Sequence, residues 1–307
     1  MEPVTVLEHL CIGNLSNVCD AMCLKKHHIQ SIMTVDVKPL SVESCLYKQI
    51  PILDLANEDL ITHLEDALKW IDQSRLNNKT AIVHCNAGQS RSAAVVIAYL
   101  MWKLRMGYED SFRYLKKLKP DIMPNEGFVE QLKLFEFMDC QVDRKCKAYS
   151  RYQLERIGQV MANGHMIRED VQTSLQDVAS TTEEGFSYKC KKCRKLLFTE
   201  GNLISHDRGI GQSAFSKPWD KQVTTFETEC KSSIFIEPMK WMERLELHEL
   251  TGKINCVKCS AKIGSWSWAG ERCSCGTWVT PAFHMDSKKI DRAVIVAARP
   301  SPSISNS

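Results

Sequence analysis

The 307-residue sequence lacks the features of a membrane, secreted or strongly charged protein. Its N-terminal MEPVTVLEHL has no basic segment followed by an apolar run, as a secretory signal would. The longest apolar stretch, residues 93–102, is about half the ~20 residues that span a bilayer. Because 40 basic and 37 acidic residues nearly cancel to +3, charge alone does not indicate membrane or nucleic-acid binding. We expect a soluble intracellular protein without a membrane partner or direct sequence-specific nucleic-acid contacts.

Cysteine, in contrast, is abundant, with 14 residues. In a secreted chain so many cysteines would predict disulfides, but without a signal sequence they favour free thiols and metal ligands. Half of them lie between residues 190 and 275, in a region that is also rich in Trp and Gly. This distribution separates a metal-binding second half from the first half of the chain.

The first half alternates β-branched runs with amphipathic stretches, which predicts an α/β domain with a short central sheet flanked by helices. Predicted strands cover residues 31–37, 47–52 and 80–84, and predicted helices cover residues 60–76, 91–104, 108–118 and 126–140. Asn125 is placed to cap the last helix. We predict this domain over residues 1–140, a linker over 141–187, a small zinc-binding domain over 188–285 and a tail over 286–307.

The run AIVHCNAGQSRSAAVV places a loop between a predicted strand and a predicted helix. Such a loop can point several backbone N–H groups inward and, with the helix dipole, form a cradle for a tetrahedral dianion. The residues predicted to bind this anion are Asn86, Ala87, Gly88, Gln89, Ser90 and Arg91. The pattern therefore predicts phosphate chemistry.

Cys85 lies at the base of this cradle, where inward N–H groups and Arg91 would hold its sulfur as a nucleophilic thiolate. Arg91 offers a planar fork that can bind two phosphate oxygens. Ser92 can donate to the sulfur when it leaves, and Gly88 lets the loop turn. Because neighbouring side chains on a strand point to opposite faces, we expect His84 to support the loop and not to pair with Cys85.

Phosphate transfer also requires an acid for the leaving oxygen. Asp54 follows a predicted strand and precedes the helix that leads back to the catalytic strand, so it is the best candidate. Glu58 and Asp59 are the alternatives.

HCNAGQSRS matches the HCxxGxxRS signature of the protein tyrosine phosphatase superfamily, and the short domain with PNEGF resembles its dual-specificity branch. This resemblance implies that Asp54 is the general acid and that phosphotyrosine, phosphoserine and phosphothreonine in proteins are the substrates. Two alternatives stay open. The domain could mainly bind partners, or its substrate could be a phosphoinositide or an RNA 5′ phosphate, although no basic cluster besides Arg91 surrounds the loop.

The second half carries eight residues of the types that bind structural zinc. They are Cys190, Cys193, His206, Cys230, Cys256, Cys259, Cys273 and Cys275. The simplest pairing assigns the first four to one ion and the last four to another, but an interleaved arrangement is possible, and His248 is an alternative to His206. We expect two structural zinc ions and no catalytic metal.

The runs FIEP, CVKCSAKIGSWSW and CSCGTWVTPAF extend the resemblance to the family of dual specificity protein phosphatase 12 and its Yvh-type relatives. The resemblance implies that the zinc domain binds partners, including late precursors of the large ribosomal subunit, and that the protein occurs in cytoplasm and nucleus. Trp266, Trp268 and Trp278 could contact such partners or pack around the metal.

Overall fold

A computed structural model of the chain describes residues 2–40, 45–164, 175–178, 184–206, 230, 233–243, 245 and 247–296. The chain divides into two units, Met1–Tyr149 and Ser150–Ser307. Within the described ranges, no helix combines the length and the apolar character that crossing a membrane requires.

The first unit is built on a five-stranded sheet with the order β1-β2-β5-β3-β4. Its strands are β1 (Val4–Leu7), β2 (Leu10–Asn14), β3 (Ile29–Val35), β4 (Leu46–Ile50) and β5 (Thr80–Cys85). Its helices are α1 (Leu15–Cys19), α2 (Ala21–Lys26), α3 (Ile61–Leu76), α4 (Arg91–Leu104), α5 (Tyr108–Leu118) and α6 (Glu126–Phe137). Since β2, β5, β3 and β4 are parallel, their carboxyl ends meet at one edge of the sheet.

The central elements β5 and α4 are buried along most of their length. Strand β5 reads TAIVHC and is covered on both faces, as expected for the central strand of a parallel sheet. Helix α4 is buried from Arg91 to Met101, because its sequence is apolar on nearly every side. The loop between the two elements is thus fixed at both ends.

The three predicted strands and four predicted helices of this unit are confirmed to within a few residues. Asn125 caps α6, where its side chain accepts the Phe128 N–H. Strands β1 and β2 and helices α1 and α2 were not predicted. Each has only four to six residues, which is too short for periodicity to identify.

The second unit is mostly antiparallel sheet. Its elements are α7 (Lys147–Ala162), which begins in the first unit, β6 (Glu184–Cys190), β7 (Leu196–Thr199), β8 (Ile234–Phe235), β9 (Thr251–Asn255), β10 (Lys262–Ser267), β11 (Glu271–Arg272), β12 (Trp278–Val279), β13 (Ala282–Met285) and β14 (Ile290–Val296). The sheet orders are β8-β13-β10-β9, β14-β6-β7 and β11-β12. Trp266 and Trp268 are buried in the core, whereas Trp278 is 61% exposed. Two of the three tryptophans therefore pack the interior.

The structure places the domain limits differently from the sequence prediction. Helix α7, predicted within the linker, contributes Leu154, Ile157 and Met161 to the core of the second unit. Strand β14, predicted within the tail, pairs along its whole length with β6. The three apolar residues of α7 are spaced by three and four positions, which places them on one helix face within an otherwise polar stretch. Residues 165–174, 179–183 and 297–307 of the predicted linker and tail lie outside the described ranges.

Candidate active site and metal centres

The predicted catalytic residues meet at the carboxyl edge of the first unit's sheet. Cys85 ends β5, and Arg91 begins α4 after the five-residue loop 86–90. Asn14, at the end of β2, lies opposite Cys85 in the register of the parallel strands. Cys85 and Arg91 are both buried. In parallel sheets this edge is where ligands bind.

The sulfur of Cys85 receives contacts from its own loop and from α4. The Gly88 N–H donates to Sγ at 3.2 Å, and the Ser92 hydroxyl lies 3.3 Å from Sγ. An N–H donor and the N-terminal end of a helix both stabilise negative charge. The geometry therefore supports a thiolate at Cys85 and a hydroxyl at Ser92 that can assist its departure.

Gly88 allows the loop to approach the neighbouring strand. Its φ is +75°, and a Cβ at this position would lie 2.6 Å from the carbonyl oxygen of Gly13. A side chain would be strained by the left-handed backbone and would collide with β2. This contact explains why the loop requires glycine at position 88.

Two carbonyl groups of the loop are tied to its surroundings. The Leu15 N–H donates to the Asn86 carbonyl at 3.1 Å, and the Met123 N–H donates to the Gln89 carbonyl at 2.8 Å. In a trans peptide, the N–H that follows a carbonyl points the opposite way. The N–H groups after these carbonyls are thus directed away from the outer contacts, as an anion cradle requires.

The Arg91 guanidinium is held from one side. Its Nη1 donates to Asp36 Oδ2 at 2.5 Å and to the Ile52 carbonyl at 3.3 Å. Its Nε is buried without a hydrogen-bond acceptor in the described part of the chain, 3.8 Å from Asp54 Oδ2. The Nε edge is therefore available to phosphate oxygens. Asp36 was not predicted, although an acidic residue directly after an apolar strand of a parallel sheet is a usable signal.

Asp54 lies on the loop after β4, beside the guanidinium. Its Oδ1 accepts the Ser90 hydroxyl at 2.6 Å and the Asn125 side-chain amide at 2.8 Å. The loop approaches α6 closely, since a Cβ on Gly127 would lie 1.9 Å from the Ala56 carbonyl oxygen. With Oδ1 occupied by two donors, Oδ2 is the oxygen that can carry a proton. The second role of Asn125 was not predicted.

The alternative acids have other surroundings. Asp59 accepts the Thr62 hydroxyl at 2.7 Å and the Thr62 N–H at 3.3 Å, in the first turn of α3. The backbone carbonyl of Glu58 accepts a hydrogen bond from the side-chain amide of Gln131 at 2.8 Å. The geometry thus places Asp54, and neither alternative, beside Arg91.

His84 supports the loop from beneath, as predicted. Its Nε2 lies 2.7 Å from the Thr34 hydroxyl, and its Nδ1 lies 3.4 Å from the Cys85 carbonyl oxygen. Because a carbonyl only accepts, Nδ1 carries the proton and Nε2 accepts from Thr34. Burial lowers the pKa of His84 from 6.5 to about 4, so the imidazole is neutral at physiological pH.

The eight predicted metal ligands form two groups, but not with the simplest pairing. Cys190, Cys193, Cys256 and Cys259 form one group, and His206, Cys230, Cys273 and Cys275 form the other. Cys190 and Cys193 lie at the hairpin turn between β6 and β7, and Cys256 and Cys259 lie at the turn between β9 and β10. Cys273 and Cys275 lie at the turn between β11 and β12. The pairing of the first four residues with one ion was wrong, because strand pairing brings together turns that are distant in sequence.

The spacing of the donor atoms fits a tetrahedral metal ion. Within each group all four ligand atoms lie within 4.8 Å of one another. The Sγ–Sγ distances are 3.7 Å for Cys190–Cys259 and 3.5 Å for Cys193–Cys256. A tetrahedron with Zn–S bonds of about 2.3 Å has edges of about 3.8 Å, whereas a disulfide would need about 2.05 Å. These groups could hold metal ions, and their donors are those that zinc prefers.

The second group adds an imidazole to three thiols. His206 Nε2 lies 3.4 Å from Cys275 Sγ, and the Cys230 and Cys273 sulfurs are 3.7 Å apart. His248, the alternative ligand, instead lies 3.6 Å from the Glu249 carboxylate. His206 is therefore the histidine that the structure brings to this centre.

Comparisons with known proteins agree with this geometry. Residues 10–138 match the family described as "Dual specificity phosphatase, catalytic domain". Over 298 residues, the chain is 34% identical to dual specificity protein phosphatase 12 of Mus musculus, covering 94% of this chain and 88% of the relative. It is 32% identical to tyrosine-protein phosphatase YVH1 of Saccharomyces cerevisiae, with 94% and 87% covered.

A solved structure is similar to part of the chain. The crystal structure of DUSP15 is 30% identical, covers 46% of this chain and 90% of its own, and superposes with a TM-score of 0.45. The mouse and yeast relatives match along nearly their whole lengths. The chain therefore belongs to the dual specificity protein phosphatase 12 and Yvh1 family of cysteine-based protein phosphatases.

Proposed function

We propose that this chain hydrolyses phosphotyrosine, phosphoserine and phosphothreonine in proteins through a phosphocysteine intermediate. The observation that carries the proposal is the position of Cys85 Sγ, 3.2 Å from the Gly88 N–H at the base of the loop that Arg91 closes. Family membership supports protein dephosphorylation in general, and this is the reason to favour phosphoproteins over phosphoinositides or RNA.

In the first step, the Cys85 thiolate attacks phosphorus. An S–P bond forms as the bond from phosphorus to the leaving oxygen breaks, and Asp54 Oδ2 donates its proton to that oxygen. The loop N–H groups and the Nε edge of Arg91 bind the non-bridging oxygens as their charge redistributes. The products are the free protein hydroxyl and phosphocysteine.

In the second step, water attacks the phosphocysteine. Asp54, now a carboxylate, accepts a proton from the water while the S–P bond breaks. The Ser92 hydroxyl, 3.3 Å from Sγ, donates to the departing thiolate. Inorganic phosphate leaves, and the enzyme returns to its starting state.

The test compares Cys85→Ser with Cys45→Ser, a matched control at the residue directly before β4, whose thiol lies near the Ile29 carbonyl. Turnover of p-nitrophenyl phosphate and of phosphotyrosine and phosphothreonine peptides should fall by at least about 10³-fold in Cys85→Ser and stay unchanged in the control. Asp54→Asn should slow the hydrolysis of the phosphopeptides more than the hydrolysis of a phosphate ester with a highly acidic leaving group. Unchanged turnover in Cys85→Ser would refute the mechanism.

We further propose that each metal centre holds a structural Zn²⁺, giving two ions per chain. Support comes from the four protein ligands of each group, since a centre with four protein ligands keeps no open position for a substrate. Elemental analysis of the purified chain should find about two zinc ions per molecule. One ion, or another metal, would contradict this assignment.

A second proposed function belongs to the zinc unit, which we infer binds partners that include late precursors of the large ribosomal subunit. Support comes from its separate core and its two centres. On this proposal the protein acts in cytoplasm and nucleus, and fluorescence imaging of the tagged chain tests that distribution. Rescue of a null cell by Cys85→Ser but not by Cys256→Ser, with loss of co-sedimentation with precursors, would make this the essential role. The reverse pattern would favour catalysis.

A further inference from the structure

A basic groove of about 1050 Å³ lies in the second unit. Its lining includes residues of β10 and β13, the turn after Cys190 and the Ser274 side of the turn between Cys273 and Cys275. The groove is thus bordered by a turn from each metal centre. Five exposed lysines line it, namely Lys191, Lys192, Lys262, Lys288 and Lys289.

These lysines are not neutralised within the groove. Among the described residues none of the five forms an ion pair, and the lining contains one carboxylate, that of Asp286. Its Oδ1 accepts the Lys288 backbone N–H at 2.9 Å. His284 is paired with Glu271 at 3.2 Å. The groove therefore has an excess of positive charge that an anionic ligand would complement.

The backbone fixes the positions of the lysines. The Lys191 N–H donates to the Lys289 carbonyl at 3.0 Å, which joins two segments of the rim. The Asp286 N–H donates to the Ile263 carbonyl at 2.9 Å, which joins the lysine-bearing turn to β10. Such pre-organisation lowers the entropy cost of binding an extended ligand.

Apolar side chains lie among the lysines. Ile263 and Met285 are buried in the groove wall, and Ile234 is partly exposed. An apolar centre with a charged rim is the usual anatomy of a protein interface. The described lining contains no Phe, Tyr, Trp or Arg, the side chains on which single-stranded nucleic acids stack their bases. A peptide fits this surface better than RNA.

We propose that the groove binds an acidic peptide segment of a partner protein, with carboxylates at the lysines and an apolar side chain over Ile234. This inference rests on the proposed partner-binding role of the zinc unit and specifies the chemical class of the partner segment.

The test measures binding of a fluorescein-labelled peptide of glutamates around a central leucine to the full chain, by fluorescence anisotropy. Lys262→Glu with Lys289→Glu should weaken binding by about tenfold or more. Lys195→Glu with Lys253→Glu changes the net charge equally outside the groove and should have an effect within about twofold. Replacing the glutamates by glutamine should abolish binding, and replacing the leucine by serine should weaken it. Zinc content, measured for every variant, confirms that the unit is intact.

Equal weakening by both lysine pairs, or no binding at millimolar peptide, would overturn the inference. Tighter binding of oligouridylate that depends on Lys262 and Lys289 would also overturn it and assign the groove to nucleic acid. Co-sedimentation of the unmodified chain with large-subunit precursors tests the proposed role separately. Peptide binding without co-sedimentation would refute the proposed ribosomal role but support the peptide-binding groove. Co-sedimentation without peptide binding would refute only the assignment of the groove.

Discussion

The phosphate loop and the metal centres are built in opposite ways. The loop is one continuous segment from Cys85 to Arg91, held between a buried strand and a buried helix. Each metal centre joins distant segments, such as Cys190 and Cys259, which are 69 residues apart. A continuous site is fixed by local backbone geometry, whereas an interleaved site exists only after the strands have paired.

The two sites should therefore differ in what destabilises them. The loop is anchored at both ends by buried elements of the first unit and is held by backbone hydrogen bonds. In each metal centre the four ligand atoms lie within 4.8 Å of one another. Deprotonated thiols at such distances repel each other unless a cation lies between them.

Removal of the metal should produce the largest effect. We expect a strong zinc chelator to unfold the second unit, because structural zinc contributes on the order of 10 kcal/mol to folding. Near-ultraviolet circular dichroism should report the loss of packing around Trp266 and Trp268, while p-nitrophenyl phosphate turnover continues. Loss of turnover together with the metal would show that the two sites depend on each other.

Single-ligand variants sharpen this prediction. Cys190→Ser and Cys259→Ser should each lose one of the two proposed ions, and the double variant should lose no more, because both ligands serve one centre. Cys190→Ser combined with Cys273→Ser should lose both ions. Elemental analysis distinguishes this interleaved pairing from the sequential one, in which Cys190 and Cys259 belong to different ions.

Arg91→Lys should give the next largest effect. Lysine keeps the charge but loses the planar fork, and we expect kcat/KM to fall by about 10³-fold. Arg113→Lys, an exposed arginine paired with Asp110, is the control and should retain full activity. Metal content should be normal in both variants. Activity within about tenfold of the unmodified enzyme would mean that the guanidinium geometry is not used.

His84 should make the first unit sensitive to acid. Burial lowers its pKa from 6.5 to about 4, so the unfolded chain binds this proton more tightly than the folded chain. The free energy of unfolding should therefore decrease as pH falls from 6.5 to about 4, by about 3 kcal/mol, and change no further through this group below pH 4.

His84→Gln, which cannot titrate, is the control for this effect. Hydrogen exchange in peptides of the first unit, followed across this pH range, should show a smaller loss of protection in the variant than in the unmodified chain. Equal losses would mean that other groups cause the acid sensitivity.

The sequence predicted what is local and missed what depends on tertiary structure. Cys85, Arg91 and Ser92 could be predicted because one strand, loop and helix contain them. The ion pair of Arg91 with Asp36 joins residues 55 positions apart, so the position of Asp36 after a strand marks it as a candidate but does not identify its partner. Both the pairing of the metal ligands and the burial of α7 likewise depend on which strands and helices pack together.

Asp36→Asn should give the smallest effect. The amide oxygen can still accept from Arg91 Nη1, but it loses the charge that holds the guanidinium at 2.5 Å. We expect kcat to fall by about tenfold, because a less firmly oriented Arg91 follows the transition state less well. KM should decrease, since removing a negative charge beside the loop favours binding of a phosphate dianion. A decrease in both kcat and KM separates the orientation of Arg91 from simple electrostatic attraction of the substrate. A KM increase with unchanged kcat would mean that Asp36 acts on substrate binding alone, and that this distant residue does not orient Arg91 in the continuous site.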